Sequence, residues 1–151
     1  MISNVDNSQI YLNDEGISDL GLEKNKVINE IIKILKSFDF ISNAYSSDYI
    51  MNSKGLDGYE KLIQNGFHEK RSGDIALILE PNVIFYDGKG TTHGSGYNYD
   101  THVPLIFFGS GVKNGETERI TEIPDIAPTI SKILGQKMKN STGESLDFIF
   151  D

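Results

Sequence analysis

The sequence predicts an α/β fold, with a mixed sheet flanked by helices. Three observations point there. Over residues 23–38 the apolar side chains Val27, Ile28, Ile31, Ile32, Ile34, Leu35 and Phe38 recur at helical spacing, with Lys24, Asn25, Asn29, Glu30, Lys33 and Lys36 mostly on the other side. β-favouring segments at residues 8–13 and 40–46 flank that helix and give a strand–helix–strand unit. Further on, the continuous apolar runs at residues 75–79 and 105–108 carry the signature of strands buried on both faces.

The remaining elements follow in order. Asp14-Glu15-Gly16 breaks the first strand. A shorter helix spans about residues 59–65 and stops at Gly66. Residues 45–73 read as a small excursion from the sheet within one domain covering 1–151. Lys70-Arg71-Ser72-Gly73-Asp74 forms a turn into the 75–79 strand, which Pro81 ends. Val83-Ile84-Phe85-Tyr86 suggests another strand, closed by Asp87-Gly88. Gly109-Ser110-Gly111 closes the 105–108 strand. Asp125, near Pro128, is placed to cap a helix whose apolar face is Ile126, Ile130, Ile133 and Leu134, ending at Gly135. The tail from 136 to 151 reads as extended or irregular. Alternating strands and helices give the α/β class.

Composition narrows the function. With 38% hydrophobic and 24% charged residues, the chain has the make-up of an ordinary globular domain. At 151 residues it can bury a sizeable core. Fourteen basic against 22 acidic residues leave a net charge of −8, which argues against nucleic-acid binding through counterion release. It also offers no polybasic patch to a membrane. No apolar run is long enough to span a bilayer, and residues 1–6 lack the features of a signal peptide. Without cysteine, disulfide and thiolate chemistry are excluded. An anionic substrate would need a local positive charge, such as a metal ion, to overcome the acidic field.

Chemistry concentrates in one glycine-rich loop, Gly90-Thr91-Thr92-His93-Gly94-Ser95-Gly96-Tyr97-Asn98-Tyr99-Asp100-Thr101-His102. A histidine in such a loop is ordinarily solvated or hydrogen-bonded. Here Gly94 and Gly96 would let the backbone approach a ligand closely, and the apolar strand that follows would hold the loop. Neutral imidazole suits Zn²⁺, but a catalytic zinc site takes three protein ligands. The loop itself offers only His93, Asp100 and, less well placed, His102. Thr91, Thr92 or Ser95 beside His93 makes a weak nucleophile–base pair, because adjacent residues rarely hold that geometry. Asp74 and Asp125 read as turn and cap residues, Lys70 and Arg71 as a solvated pair, and His68 as a surface histidine.

The run from Thr92 to Gly109 resembles the C-terminal portion of the alkaline phosphatase superfamily, and most of all its phosphate monoesterase and type I phosphodiesterase–nucleotide pyrophosphatase branch. Lys70-Arg71-Ser72-Gly73-Asp74-Ile75, Ile123-Pro124-Asp125-Ile126-Ala127-Pro128-Thr129-Ile130 and Leu134-Gly135 agree with it in order, and residues 8–12 look like a strand of that fold. The resemblance implies the C-terminal part of an alkaline-phosphatase-like core and a two-zinc hydrolase of phosphate esters. In that family a Thr or Ser alkoxide held by one zinc attacks phosphorus, while the other zinc stabilises the leaving oxygen and later activates water. His93 matches the C-terminal histidine ligand of one zinc, and Gly94 the glycine after it. His102 matches a position that orders the loop without ligating.

No segment before Ser8 matches the family's nucleophile or its remaining Asp and His ligands, so the resemblance assigns no catalytic residue here. It implies a C-terminal fragment that supplies one zinc ligand, is inactive alone, and comes from a periplasmic or secreted parent with an N-terminal segment elsewhere. Three alternatives stand beside it. One is a non-catalytic binding module derived from that fold. Another is a hydrolase using Ser95 or Thr92. The third is a chain completed by a separate polypeptide.

Overall fold

The computed structural model describes residues 1–86, 88–90 and 93–150. They form two compact units, 1–103 and 104–151.

The first unit is built on a four-stranded sheet. Strands β1 (Ile2–Asp6) and β2 (Gln9–Leu12) form a hairpin in which Asp6 pairs with Gln9. Its two turn residues, Asn7 and Ser8, both have positive φ, 47° and 57°. A two-residue loop of that kind matches the right-handed twist of the strands it joins. Helix α1 (Asp14–Asp19) follows, then α2 (Lys24–Leu35), β3 (Ile41–Ser46), α3 (Ser47–Asn52), α4 (Gly58–Gly66) and β4 (Ile75–Leu79). The sheet order is β1-β2-β4-β3.

Helices and strands mix as the sequence suggests, and the strand–helix–strand unit is present. Its two strands, β2 and β3, do not touch. β4 lies between them, antiparallel to both, so β2 and β3 run the same way with α2 as the crossover. The inserted strand makes every pairing among the described residues antiparallel, where the sequence suggests a mixed sheet.

The core lies where α2 covers the sheet. Ile28 packs among Ile10, Leu12, Ile17, Ala44, Ile75 and Leu77, with Val27, Ile31, Ile32 and Leu35 partly buried beside it. Each fully buried Ile or Leu of this cluster contributes about 1.5–3 kcal/mol by leaving water. Of the two interior strands, β2 and β4, β4 is the more buried, and this is the burial its continuous apolar run predicts.

Asp74 joins helix to sheet and is more than a turn residue. Its carboxylate accepts the Leu12 N–H at 2.7 Å and meets Lys24 Nζ, also at 2.7 Å. Lys24 reaches Asp14 as well, at 2.7 Å. Asp74→Ala should therefore destabilise the first unit by about 1.5–3 kcal/mol, the worth of a hydrogen bond to a charged group. A urea denaturation midpoint that does not move would show the bridge to be idle.

The sequence misses β1, α1 and α3 for identifiable reasons. All five residues of β1 are exposed, so no apolar alternation marks it. Both helices are six residues long, too short to show a period, and are started by caps. Asn13 accepts the Gly16 N–H and Ser46 accepts the Tyr49 N–H. Asp14-Glu15-Gly16 is thus the first turn of α1 rather than a simple break. Gly66 is the last residue of α4, and the cap position falls to Phe67.

Two expected strands are not formed. Residues 83–86 are irregular, with Ile84, Phe85 and Tyr86 about half exposed. In the second unit, residues 105–108 are also irregular, with Ile106 81% and Phe108 100% exposed. A strand buried on both faces needs neighbours, and neither run has a strand partner among the described residues.

The second unit is organised by helix α6 (Ile126–Ile133), entered through the 3₁₀ turn Ile123–Asp125. Gly135, with φ of 66°, turns the chain out of it. Asp125 stands at the start as expected, but its carboxylate serves the chain rather than the helix. One oxygen accepts the Glu122 N–H and the other the Glu144 N–H, each at 2.9 Å. These two donors hold the Asp125 carboxyl below its ordinary range. Thr129, fully buried, donates to the Asp125 carbonyl at 2.6 Å and accepts the Leu146 N–H at 2.9 Å. Among the described residues no helix is long and apolar enough to cross a membrane.

Candidate functional site

The histidine loop is fastened to the sheet of the first unit by tyrosines. The Tyr97 hydroxyl donates to the carbonyl of Leu79, at the end of β4, at 2.9 Å. The Tyr99 hydroxyl accepts the Asn82 N–H at 3.0 Å. Tyr97 and Tyr99 stack at 5.7 Å, and Tyr59 from α4 meets Tyr97 edge-on at 5.3 Å. Gly96 is what allows this approach, because a Cβ there would lie 2.9 Å from Leu62 and 3.1 Å from the Tyr59 ring. Gly94, with φ of 135°, sets the backbone direction just after His93 in a conformation that favours glycine.

Anchored in this way, the chain forms one short turn of helix, α5 (Asn98–Thr101), which turns Asp100 back onto the loop. One Asp100 oxygen accepts the Ser95 N–H at 2.9 Å and the Ser95 hydroxyl at 2.5 Å. The other lies 3.7 Å from His93 Nδ1. That distance is ion-pair range rather than a direct hydrogen bond. The Ser95 hydroxyl and amide, with His93 adding to them, hold the Asp100 carboxyl below its ordinary range. It is therefore ionised at neutral pH.

A carboxylate on the Nδ1 side favours the tautomer with its proton there, in which Nε2 is the electron-pair donor. The Asp100 side chain is only 14% exposed, while that of His93 is 86% exposed. The imidazole thus stands at the rim of a cavity of about 820 Å³, and Ser95, Asp100 and the three tyrosines form part of its wall.

This arrangement fits one donor of a metal centre. It does not fit a self-contained site, since among the described residues no three His, Cys, Asp or Glu side chains gather to hold an ion. Asp100, a candidate ligand from sequence, has its carboxylate turned to Ser95 and the imidazole. His102 closes α5, its N–H donating to the Asn98 carbonyl at 2.9 Å. Ser95, a candidate nucleophile, directs its hydroxyl to Asp100, while Thr91 and Thr92 lie outside the described residues. His68 is exposed, its Nδ1 accepting the Lys70 N–H at 3.2 Å.

Sequence reasoning missed the tyrosine anchor and a second polar knot nearby. In that knot Glu60 accepts the hydroxyls of Tyr45 and of Tyr49, two rings stacked at 5.2 Å. The Tyr-x-Tyr spacing of Tyr97 and Tyr99 was the available signal for the anchor.

No protein-family model matches the chain. It is 42% identical over 142 residues to a protein of Myroides odoratus named calcium-transporting ATPase, covering 93% of this chain and 26% of that one. It is 36% identical over 129 residues to alkaline phosphatase PafA of Elizabethkingia meningoseptica, covering 85% of this chain and 24% of the relative. The crystal structure of wild-type alkaline phosphatase PafA superposes with a TM-score of 0.90 at 32% identity, over 99% of this chain and 29% of that one. The chain thus spans about a quarter of the length of the curated relatives it matches. By sequence and by fold, it is related to the alkaline phosphatase superfamily and corresponds to a portion of its members.

Proposed function

We propose that this polypeptide is the C-terminal portion, in one continuous piece, of a two-zinc phosphate ester hydrolase of the alkaline phosphatase type. In this reading His93 supplies one imidazole donor to one of the two metal ions. The observation that carries the proposal is the Ser95–Asp100–His93 chain of contacts, because a partly buried carboxylate behind an exposed imidazole is the usual support of a metal-binding histidine.

Each residue then has a task. His93 offers Nε2. Asp100 fixes the tautomer and orients the ring. Ser95 keeps Asp100 ionised and in place. Tyr97 and Tyr99 hold the loop to the end of β4. Zinc, when bound, would supply positive charge toward a phosphoryl oxygen and a leaving oxygen. That charge is needed near a chain of net charge −8 if the substrate is an anionic ester. The names of the relatives agree on this chemistry, since phosphatases and ATPases both transfer a phosphoryl group to water. A periplasmic or secreted parent fits the same reading.

One imidazole does not hold zinc tightly, since affinity comes from several preorganised ligands acting together. The isolated chain should therefore show no tight zinc binding in a calorimetric titration and no turnover of p-nitrophenyl phosphate. Clear turnover that His93→Ala abolishes would mean that this polypeptide carries a whole active site. Metal-independent turnover lost in Ser95→Ala would point to a serine hydrolase instead.

A further inference from the structure

Helix α4 has two sides with two different sets of contacts. Tyr59 and Leu62 are neighbours on one side, and Glu60 and Gln64 are neighbours on the other. The first side meets the histidine loop at Gly96, where an added Cβ would stand 2.9 Å from Leu62 and 3.1 Å from the Tyr59 ring. Tyr59 also meets Tyr97 edge-on. The second side is tied to the sheet and to α3. Glu60 accepts the hydroxyls of Tyr45 on β3 and of Tyr49 on α3. Gln64 Nε2 donates to the carbonyls of Ile50 at 2.8 Å and Ser53 at 3.0 Å. No residue of α4 is fully buried, so these polar ties, more than a core stripe, fix where the helix lies.

The loop needs such support. α5 is four residues long, far below the length at which a helix holds itself in water. Tyr97, at its cap position, makes no side-chain cap hydrogen bond. Asp100 must nevertheless come back from that turn onto Ser95 and His93. Whatever holds Tyr97 therefore governs where Asp100 stands. Burial raises the Tyr59 hydroxyl above its ordinary range while the Gly96 backbone pulls the other way, which agrees with a ring pressed between helix and loop.

We propose that α4 is a brace that positions His93, in which Tyr59 sets the loop and Glu60 and Gln64 set the helix. All three are positioning residues, acting on the imidazole through Tyr97 and Asp100. The proposal rests on the reading of His93 as a metal donor and adds how the chain between β3 and β4 holds that donor.

The test uses the full 151-residue chain without metal, at an alkaline pH where imidazole is neutral. Nitrogen-15 shifts of the His93 ring report its tautomer, and hydrogen exchange reports the Ser95 amide that donates to Asp100. Tyr59→Ala should move His93 away from the Nδ1–H form and speed Ser95 exchange about two- to tenfold, the size of one lost edge-to-face ring pair. Tyr59→Phe keeps the ring and should restore both readouts. Glu60→Ala, on the far side of the helix, should move both in the same direction by a smaller amount. Amides of β4 should stay protected throughout; if Tyr59→Ala loosens them, Tyr59→Leu keeps the bulk without the ring pair and takes its place. An unmoved tautomer and amide in the Tyr59 variants would overturn the proposal. So would a Glu60→Ala chain indistinguishable from wild type, or a Tyr59→Phe chain as disturbed as Tyr59→Ala. None of these readouts depends on zinc or turnover. A loop indifferent to Tyr59 would sink the brace and leave the zinc reading intact, whereas hydrolysis by the isolated chain would do the reverse.

Discussion

Gly143→Ala is expected to unfold the second unit while β4 and α2 of the first stay protected. A Cβ at this position would sit 2.2 Å from the carbonyl carbon of Pro124, 2.3 Å from its oxygen and 2.5 Å from the Asp125 nitrogen. All three atoms are main chain, so no flexible side chain can swing aside. The tail must move, and two of its ties to α6 and its entry turn lie just beyond the glycine. Glu144 N–H donates to Asp125, and Leu146 N–H donates to the buried Thr129 hydroxyl. Overpacking alone costs about 1–3 kcal/mol, occasionally more. Each buried group left without its partner adds about 1–3 kcal/mol. The sum rivals the whole stability of so small a unit, since native stability runs at roughly 0.05–0.15 kcal/mol per residue. Hydrogen exchange read residue by residue should show α6 amides losing protection and β4 amides keeping theirs. Thr129→Val, which loses the tie without a clash, should give a milder loss. Unchanged protection of α6 in Gly143→Ala would mean that the tail does not hold the helix.

What the sequence disclosed follows from which forces act locally. α2 and β4 were legible because each packs its apolar residues against the core of the same unit, so periodicity and burial agree. α1 and α3 were hidden because a cap hydrogen bond starts each one and neither is long enough to show a stripe. Residues 105–108 carry a real strand signal, but it reports a preference to be covered, and nothing in the second unit covers Phe108.

The site divides in the same way. His93 stood out through its glycine neighbours and its family resemblance. The roles of Asp100 and Ser95 required the fold, because only the turn of α5 brings residue 100 back onto residue 95. The tyrosine anchor depends on contacts with α4 and the end of β4, 18 or more residues away in sequence, which no local pattern records.

His93→Ala should remove most metal-dependent hydrolysis from an enzyme completed with this chain. A suitable vehicle is a chimera in which these residues replace the matching quarter of Elizabethkingia PafA, a substitution that 36% identity and a TM-score of 0.90 make structurally reasonable. Deleting the imidazole deletes a donor outright. Asp100→Asn leaves the donor but exchanges a carboxylate beside Nδ1 for an amide that no longer fixes the tautomer, and changes of that kind cost about 10–100-fold in metal affinity or activity. Ser95→Ala removes one of the two hydrogen bonds that Ser95 makes to Asp100 and keeps the amide, so its effect should be smaller still. The expected order of loss is therefore His93→Ala, then Asp100→Asn, then Ser95→Ala, in both zinc content by elemental analysis and turnover of p-nitrophenyl phosphate. Added imidazole should restore part of the His93→Ala activity, because the cavity at the rim of the loop can admit a free ring. A His93→Ala chimera with full zinc content and full turnover would remove His93 from the metal centre. An Asp100→Asn chimera that loses turnover at normal zinc content would instead place the carboxylate in contact with substrate.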